Sequence, residues 1–224
     1  LCAVLAASGA LAQNAVQRSG DLSVETVAAG LENPWGLAFL PDGAMLVTER
    51  PGRLRIVSPE GAVSAPLGGL PQIAARGQGG LLDVAADPDF RENRTIWFSF
   101  AQNRSGGESG TALAKAQINT AGTALQGVQI MFRQEPGYTG RNHFGSRIAF
   151  DRAGHVFLTL GDRFDLSEQA QNPGNHIGKV VRIRRDGGIP DDNPKNQGWA
   201  PEIWSIGHRN VQAAAIHPRT GALW

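Results

Sequence analysis

A histidine held against a carboxylate makes a base of fixed tautomer, and this chain offers one such pair at matching ends of a predicted hairpin. The stretch SRIAFDRAGHVFLTLGD, residues 146–162, reads as two strands around a turn at 151–154. If Phe150 pairs with His155, the same register sets His143 opposite Asp162. A carboxylate on one ring nitrogen fixes the tautomer and raises the basicity of the other nitrogen. The same pair is also an ordinary way of satisfying a histidine at a strand end, and residue types alone do not separate the two.

Further polar side chains fall at the same place relative to a turn. His143 lies nine residues before the turn residue Arg152. Gly79, beside Gln78, stands equally far before Pro88, and Arg209, beside Asn210, equally far before Pro218. Gln78, His143, Arg209 and Asn210 therefore occupy one position of a repeat, the segment leading into the first strand of each copy. Polar residues of different kinds at one repeat position suit a site better than a core. Of the other histidines, His155 and His217 are expected at solvent-facing hairpin turns, His176 in a polar loop, and His208, which precedes Arg209, in support of the site. Asp191-Asp192-Asn193-Pro194 lacks the spaced ligands and distal Glu of a calcium-binding EF-hand loop and reads as a turn. No phosphate-binding glycine loop, Gly-x-Ser-x-Gly elbow or His-Glu-x-x-His helix occurs.

The elements that must hold these residues recur. GLAFLPDGAMLVTE (36–49) is followed by a strand over 53–57; GLLDVAADPDFRENRTIWFSF (80–100) and residues 146–162 repeat the pattern, and VQAAAIHPRTGALW begins it a fourth time. Aligned on Pro41, Pro88, Arg152 and Pro218, the copies lie 47, 64 and 66 residues apart. Multi-strand repeats of this size read as propeller blades, with a β-sandwich as the alternative. The 29 glycines and 13 prolines fall between short apolar runs, as turns between strands do. Four blade starts do not close a ring, so apolar faces are expected to be open at each end.

Charge narrows the partners. With 21 basic against 20 acidic residues and no basic run, nothing favours nucleic acid. Residues 1–12, LCAVLAASGALA, read as part of a signal peptide cleaved before Gln13. That run is too short to span a membrane, and no span is expected in the mature chain. Residues 13–23 then form a linker and 24–224 the N-terminal part of one domain cut at its far end. The one cysteine, Cys2, lies in the leader, which leaves no disulfide and no thiolate ligand for the mature protein.

Several long motifs in order, NPWGLAFLPDG, TERPGRLRIV, GQGGLLDVAADPDF, NHFGSRIAFDRAGHVFLTLGD, GKVVRIRRDGGIPDDNP and PEIWSIGHRNVQ, resemble the pyrroloquinoline quinone-dependent soluble glucose and aldose sugar dehydrogenases. The resemblance implies an all-β, six-bladed propeller, of which this chain covers the first three to four blades. It implies a periplasmic enzyme that oxidises aldoses at C1 to lactones. His143 would be the general base, Asp162 its orienting carboxylate, and Gln78, Arg209 and Asn210 contacts to cofactor and substrate. Calcium is implied as a second cofactor, with its ligands expected beyond Trp224, and the chain alone is expected to be inactive. The family pattern Arg-Asn-Pro-Gln-Gly is replaced here by Arg209-Asn210-Val211-Gln212-Ala213, which puts the aim of Arg209 in question. A non-catalytic propeller module and a metal-dependent lactone hydrolase are the competing readings.

Overall fold

The computed structural model describes residues 17–20 and 22–224, so the expected leader, 1–12, lies outside the described residues. Strands β1 (Gln17–Ser19) and β2 (Leu22–Val24) form a small antiparallel hairpin. Three larger antiparallel sheets follow. The first contains β3 (Pro34–Phe39), β4 (Met45–Glu49) and β5 (Arg53–Val57). The second contains β6 (Leu81–Ala86), β7 (Thr95–Asn103), β8 (Ser109–Ile118) and β9 (Leu125–Arg133). The third contains β10 (Ile148–Phe150), β11 (His155–Thr159), β12 (Lys179–Arg184) and β13 (Ile203–Ile206). Each sheet is ordered as its strands run in the chain, the arrangement of successive propeller blades. A fourth hairpin begins at the Ile216–Leu223 bridge.

Strand β7 shows why the middle blade reads as an unbroken apolar run: it is buried on both faces. Ile96, Phe98 and Phe100 point one way and pack with Leu46 and Leu54 of the first blade. Trp97, between them, points the other way and packs with Ile148, Val156, Leu158 and Val181 of the third. The period of two thus assigns alternate residues to alternate neighbours. On the outer face of the first blade Leu37 and Phe39 are exposed, as is Trp224 at the other end.

A hydroxyl at one position of every blade ties it to the next. Thr48 accepts the Gly36 N–H of its own blade and donates to the Leu82 carbonyl of the second. Ser99 accepts from Asp83 N–H and donates to the Ser146 carbonyl at 2.7 Å. Thr159 accepts from Arg147 N–H and donates to the Val211 carbonyl at 2.7 Å. In the first two blades the pairing of the first two strands is shifted at this point, and the hydroxyl takes up the backbone group that the ladder releases.

The β10–β11 register differs from the sequence expectation by one residue. Phe150 pairs with Val156 and Ile148 with Leu158, so the ladder does not by itself set His143 opposite Asp162. The turn takes up one more residue because Asp151 caps it, its Oδ1 accepting both Ala153 N–H and His155 N–H. For the same reason His155 does not face solvent freely. It is half-buried, with Nδ1 2.9 Å from Asp151 Oδ2.

Candidate active site

Where the ladder ends, glycines bring the two segments together. At Gly161 an added Cβ would sit 2.0 Å from the His143 carbonyl oxygen, and at Gly145 one would meet the Leu160 backbone at 2.7 Å. Neither position has room for a side chain, and the backbones approach because none is there. His143 Nδ1 lies 2.7 Å from Asp162 Oδ1, which also accepts the Phe164 N–H at 2.8 Å. Asp162 is buried and the imidazole nearly so, with 12% of its side chain exposed. An ionised carboxylate only accepts, so Nδ1 carries the proton and Nε2 is left as an acceptor.

All five sequence-predicted residues converge here. Gln78 Oε1 accepts the His143 backbone N–H at 2.9 Å, and Asn210 Oδ1 accepts the Gly145 N–H at 3.0 Å. Both side chains therefore spend their oxygen on holding the His143 segment and keep only an amide NH2 for a ligand. Arg209 accepts the Asp162 N–H through its backbone carbonyl at 2.7 Å. Its guanidinium is exposed, and no carboxylate among the described residues pairs with it. The Val211 departure leaves this loop anchored: Thr159 donates to the Val211 carbonyl, an acceptor that a proline would also supply, and Arg147 Nε to the carbonyl of Gln212.

A cavity of about 370 Å³ opens beside the pair, lined by Asp162, Phe164, Ser167, Ala170, Gln171, Gly207, His208 and Arg209. Phe164 is half exposed and stands edge-on to the His143 ring, centroids 5.1 Å apart. Sequence reasoning missed Phe164, although it is the second residue after Asp162. Lys179, fully buried, donates to the carbonyls of Gln169, Ala170 and Ile177, and so holds Ala170, which is part of the cavity wall. Burial lowers its pKa to about 8, and burial together with Lys179 lowers that of His208, whose Nε2 lies 2.7 Å from Ser205 Oγ. His176, expected in a polar loop, is instead buried, accepting Glu135 N–H on Nδ1 and facing Glu202. The 191–194 segment is a turn docked on Arg182, which donates to Asp192 and Asn193.

Residues 31–224 match the model of the Glucose / Sorbosone dehydrogenase family. The chain belongs to that family. It is 42% identical over 206 residues to the aldose sugar dehydrogenase YliI of Escherichia coli, covering 91% of this chain and 55% of that protein. A crystal structure of a glucose dehydrogenase superposes with a TM-score of 0.83 at 44% identity, over 87% of this chain and 57% of the other. The PQQ-bound form of an aldose sugar dehydrogenase from Streptomyces coelicolor superposes with a TM-score of 0.78 at 30% identity, over 93% and 58%. The chain thus spans a little over half the length of the relatives it matches. Membership settles the architecture as a β-propeller, and no helix among the described residues is long and apolar enough to cross a membrane.

Proposed function

We propose that the complete protein is a periplasmic aldose dehydrogenase using pyrroloquinoline quinone, with His143 as the base that deprotonates the anomeric hydroxyl. The observation that carries this is the His143–Asp162 pair at 2.7 Å, beside a cavity lined also by Arg209, which no carboxylate among the described residues pairs with. Two features of the cavity wall fit a flat, anionic aromatic group, the Arg209 guanidinium and the half-exposed Phe164 ring. The Gln78 amide, held to the His143 segment, is the further contact of this proposal. When bound, that group supplies a two-electron acceptor for the hydride leaving C1. The chain's own residues handle the proton. Nε2 of His143 accepts it from the hydroxyl as the C1–H bond breaks, so the sugar becomes a lactone without a free oxocarbenium. Asp162 stabilises the imidazolium that results, and Arg209 offers positive charge where negative charge collects.

Calcium belongs to the same proposal, with ligands in sequence beyond Trp224. Among the described residues no group of three or more His, Cys, Asp or Glu side chains could hold a metal ion. The test is dye reduction by several aldoses, using the complete protein loaded with quinone and calcium. Wild type should turn over, and His143→Ala should lose a factor of about 100 or more in kcat. Wild type without turnover defeats the proposal, and equal rates for the two proteins defeat the role of His143.

A further inference from the structure

Arg163 is fully buried, yet no carboxylate among the described residues pairs with it. Its guanidinium serves backbone instead: Nη1 donates to the Ser109 carbonyl at 2.7 Å, Nη2 to that of Gly140 at 2.5 Å and Nε to that of Asn142 at 3.2 Å. The planar group lies over the Phe144 ring, 4.0 Å from its centroid. It therefore grips the residues on both sides of His143, while its own backbone N–H donates to the His143 carbonyl at 3.3 Å. His143 has φ 52°, Arg163 φ 60° and Phe164 φ 73°, left-handed conformations that non-glycine residues seldom adopt. Such strain persists only where the surroundings over-determine it, and it collects at functional sites.

Packing alone does not account for this residue. Burying an arginine without a counter-charge is costly, and burial lowers its pKa to about 10, so it stays charged at neutral pH. An apolar side chain would fill the space at less cost but would leave the Gly140 and Asn142 carbonyls without a partner. Lysine offers one point of charge rather than a flat fork with three directions.

We propose that Arg163 is a positioning residue for His143, clamping the 140–144 segment so that Nδ1 of the imidazole meets Asp162 and Nε2 is left free to accept a proton. This rests on the reading of His143 as the base, and the test separates the two. The complete protein is compared as wild type, Arg163→Met and Arg163→Lys, with three readouts. Thermal unfolding reports the fold, nitrogen-15 NMR of labelled histidine reports the His143 tautomer and its Nδ1–H bond to Asp162, and steady-state kinetics report kcat and KM for an aldose.

Arg163→Met should fold, lose the slowly exchanging Nδ1–H signal and drop about 100-fold in kcat, with KM within about threefold. Arg163→Lys should recover part of both. A folded Met variant with an unchanged His143 spectrum overturns the proposal, whatever its rate. A disturbed spectrum with unchanged kcat sustains the positioning role and sinks the reading of His143 as base. If neither variant folds, Arg163 is a residue of the fold and the proposal fails.

Discussion

At the scale of single residues, Asp162 has two duties that one substitution can separate. Its Oδ1 accepts from His143 Nδ1 and from the Phe164 N–H, fixing the tautomer and anchoring the loop that carries Phe164. Asp162→Asn keeps the shape and an acceptor oxygen but removes the charge that stabilises an imidazolium. The Phe164 N–H, on the same Oδ1, keeps the amide oxygen of the asparagine turned toward Nδ1, so the tautomer is retained and only the charge is lost. Asp162→Asn should therefore lower kcat by at least about 100-fold and change thermal stability little, as kinetics and unfolding of the same preparation would show. The pair was legible in the sequence for a reason that proved incomplete. The assumed register was one residue out, and contact is made through Gly145 and Gly161 beyond the end of the ladder. Arg163 and Phe164 were not legible, because their positions depend on left-handed backbone that no apolar pattern encodes.

At the scale of strands and blades, the sequence was most transparent where a side chain has one repeating job. The alternation along β7 and the turns at Pro41, Pro88, Arg152 and Pro218 follow from burial against two neighbours. Thr48, Ser99 and Thr159 were hidden inside apolar runs, since a hydroxyl in a strand has no signature until its partners are seen. Each is buried or nearly so, accepts from its own blade and donates to the next. Removing one leaves a donor in its own blade and an acceptor in the next unsatisfied. Ser99→Ala should cost about 2 kcal/mol, read as a lower denaturation midpoint with an unchanged slope. Loss at Ser99 also loosens the Ser146 carbonyl, three residues from His143, so a smaller fall in kcat should accompany it. An unchanged midpoint would show that water replaces the hydroxyl and that the latch contributes little.

Across the whole molecule, four blades meet at Asp83. Its carboxylate, on the second blade, accepts from Arg147 Nη1 at 2.7 Å and from Ile148 N–H at 2.8 Å, both on the third. Arg147 in turn lies 4.7 Å from the Trp35 ring of the first blade and donates to the Gln212 carbonyl at the start of the fourth. Burial outweighs the arginine and raises the Asp83 pKa from 3.8 to about 6. A raised carboxyl pKa means that the folded state holds a proton the unfolded chain has lost, so stability falls as pH rises between these values and levels above the upper one. Glu49 has the opposite sign. Hydrogen bonds from Arg53 and Arg55 lower its pKa to about 2, so its contribution is present above about pH 4.5 and fades only in stronger acid. Glu49 is therefore silent from about pH 4.5 to 6. There Asp83 titrates alongside His208, whose lowered pKa acts in the opposite sense, so the Asp83 share is isolated by substitution. Subtracting the stability of Asp83→Asn from that of wild type, by denaturant unfolding at pH 4.5 and 7, should give a difference that shrinks by about 2 kcal/mol at the higher pH. A difference that grows with pH would mean instead that Arg147 outweighs burial, and that the junction of the blades is held by an ionised pair.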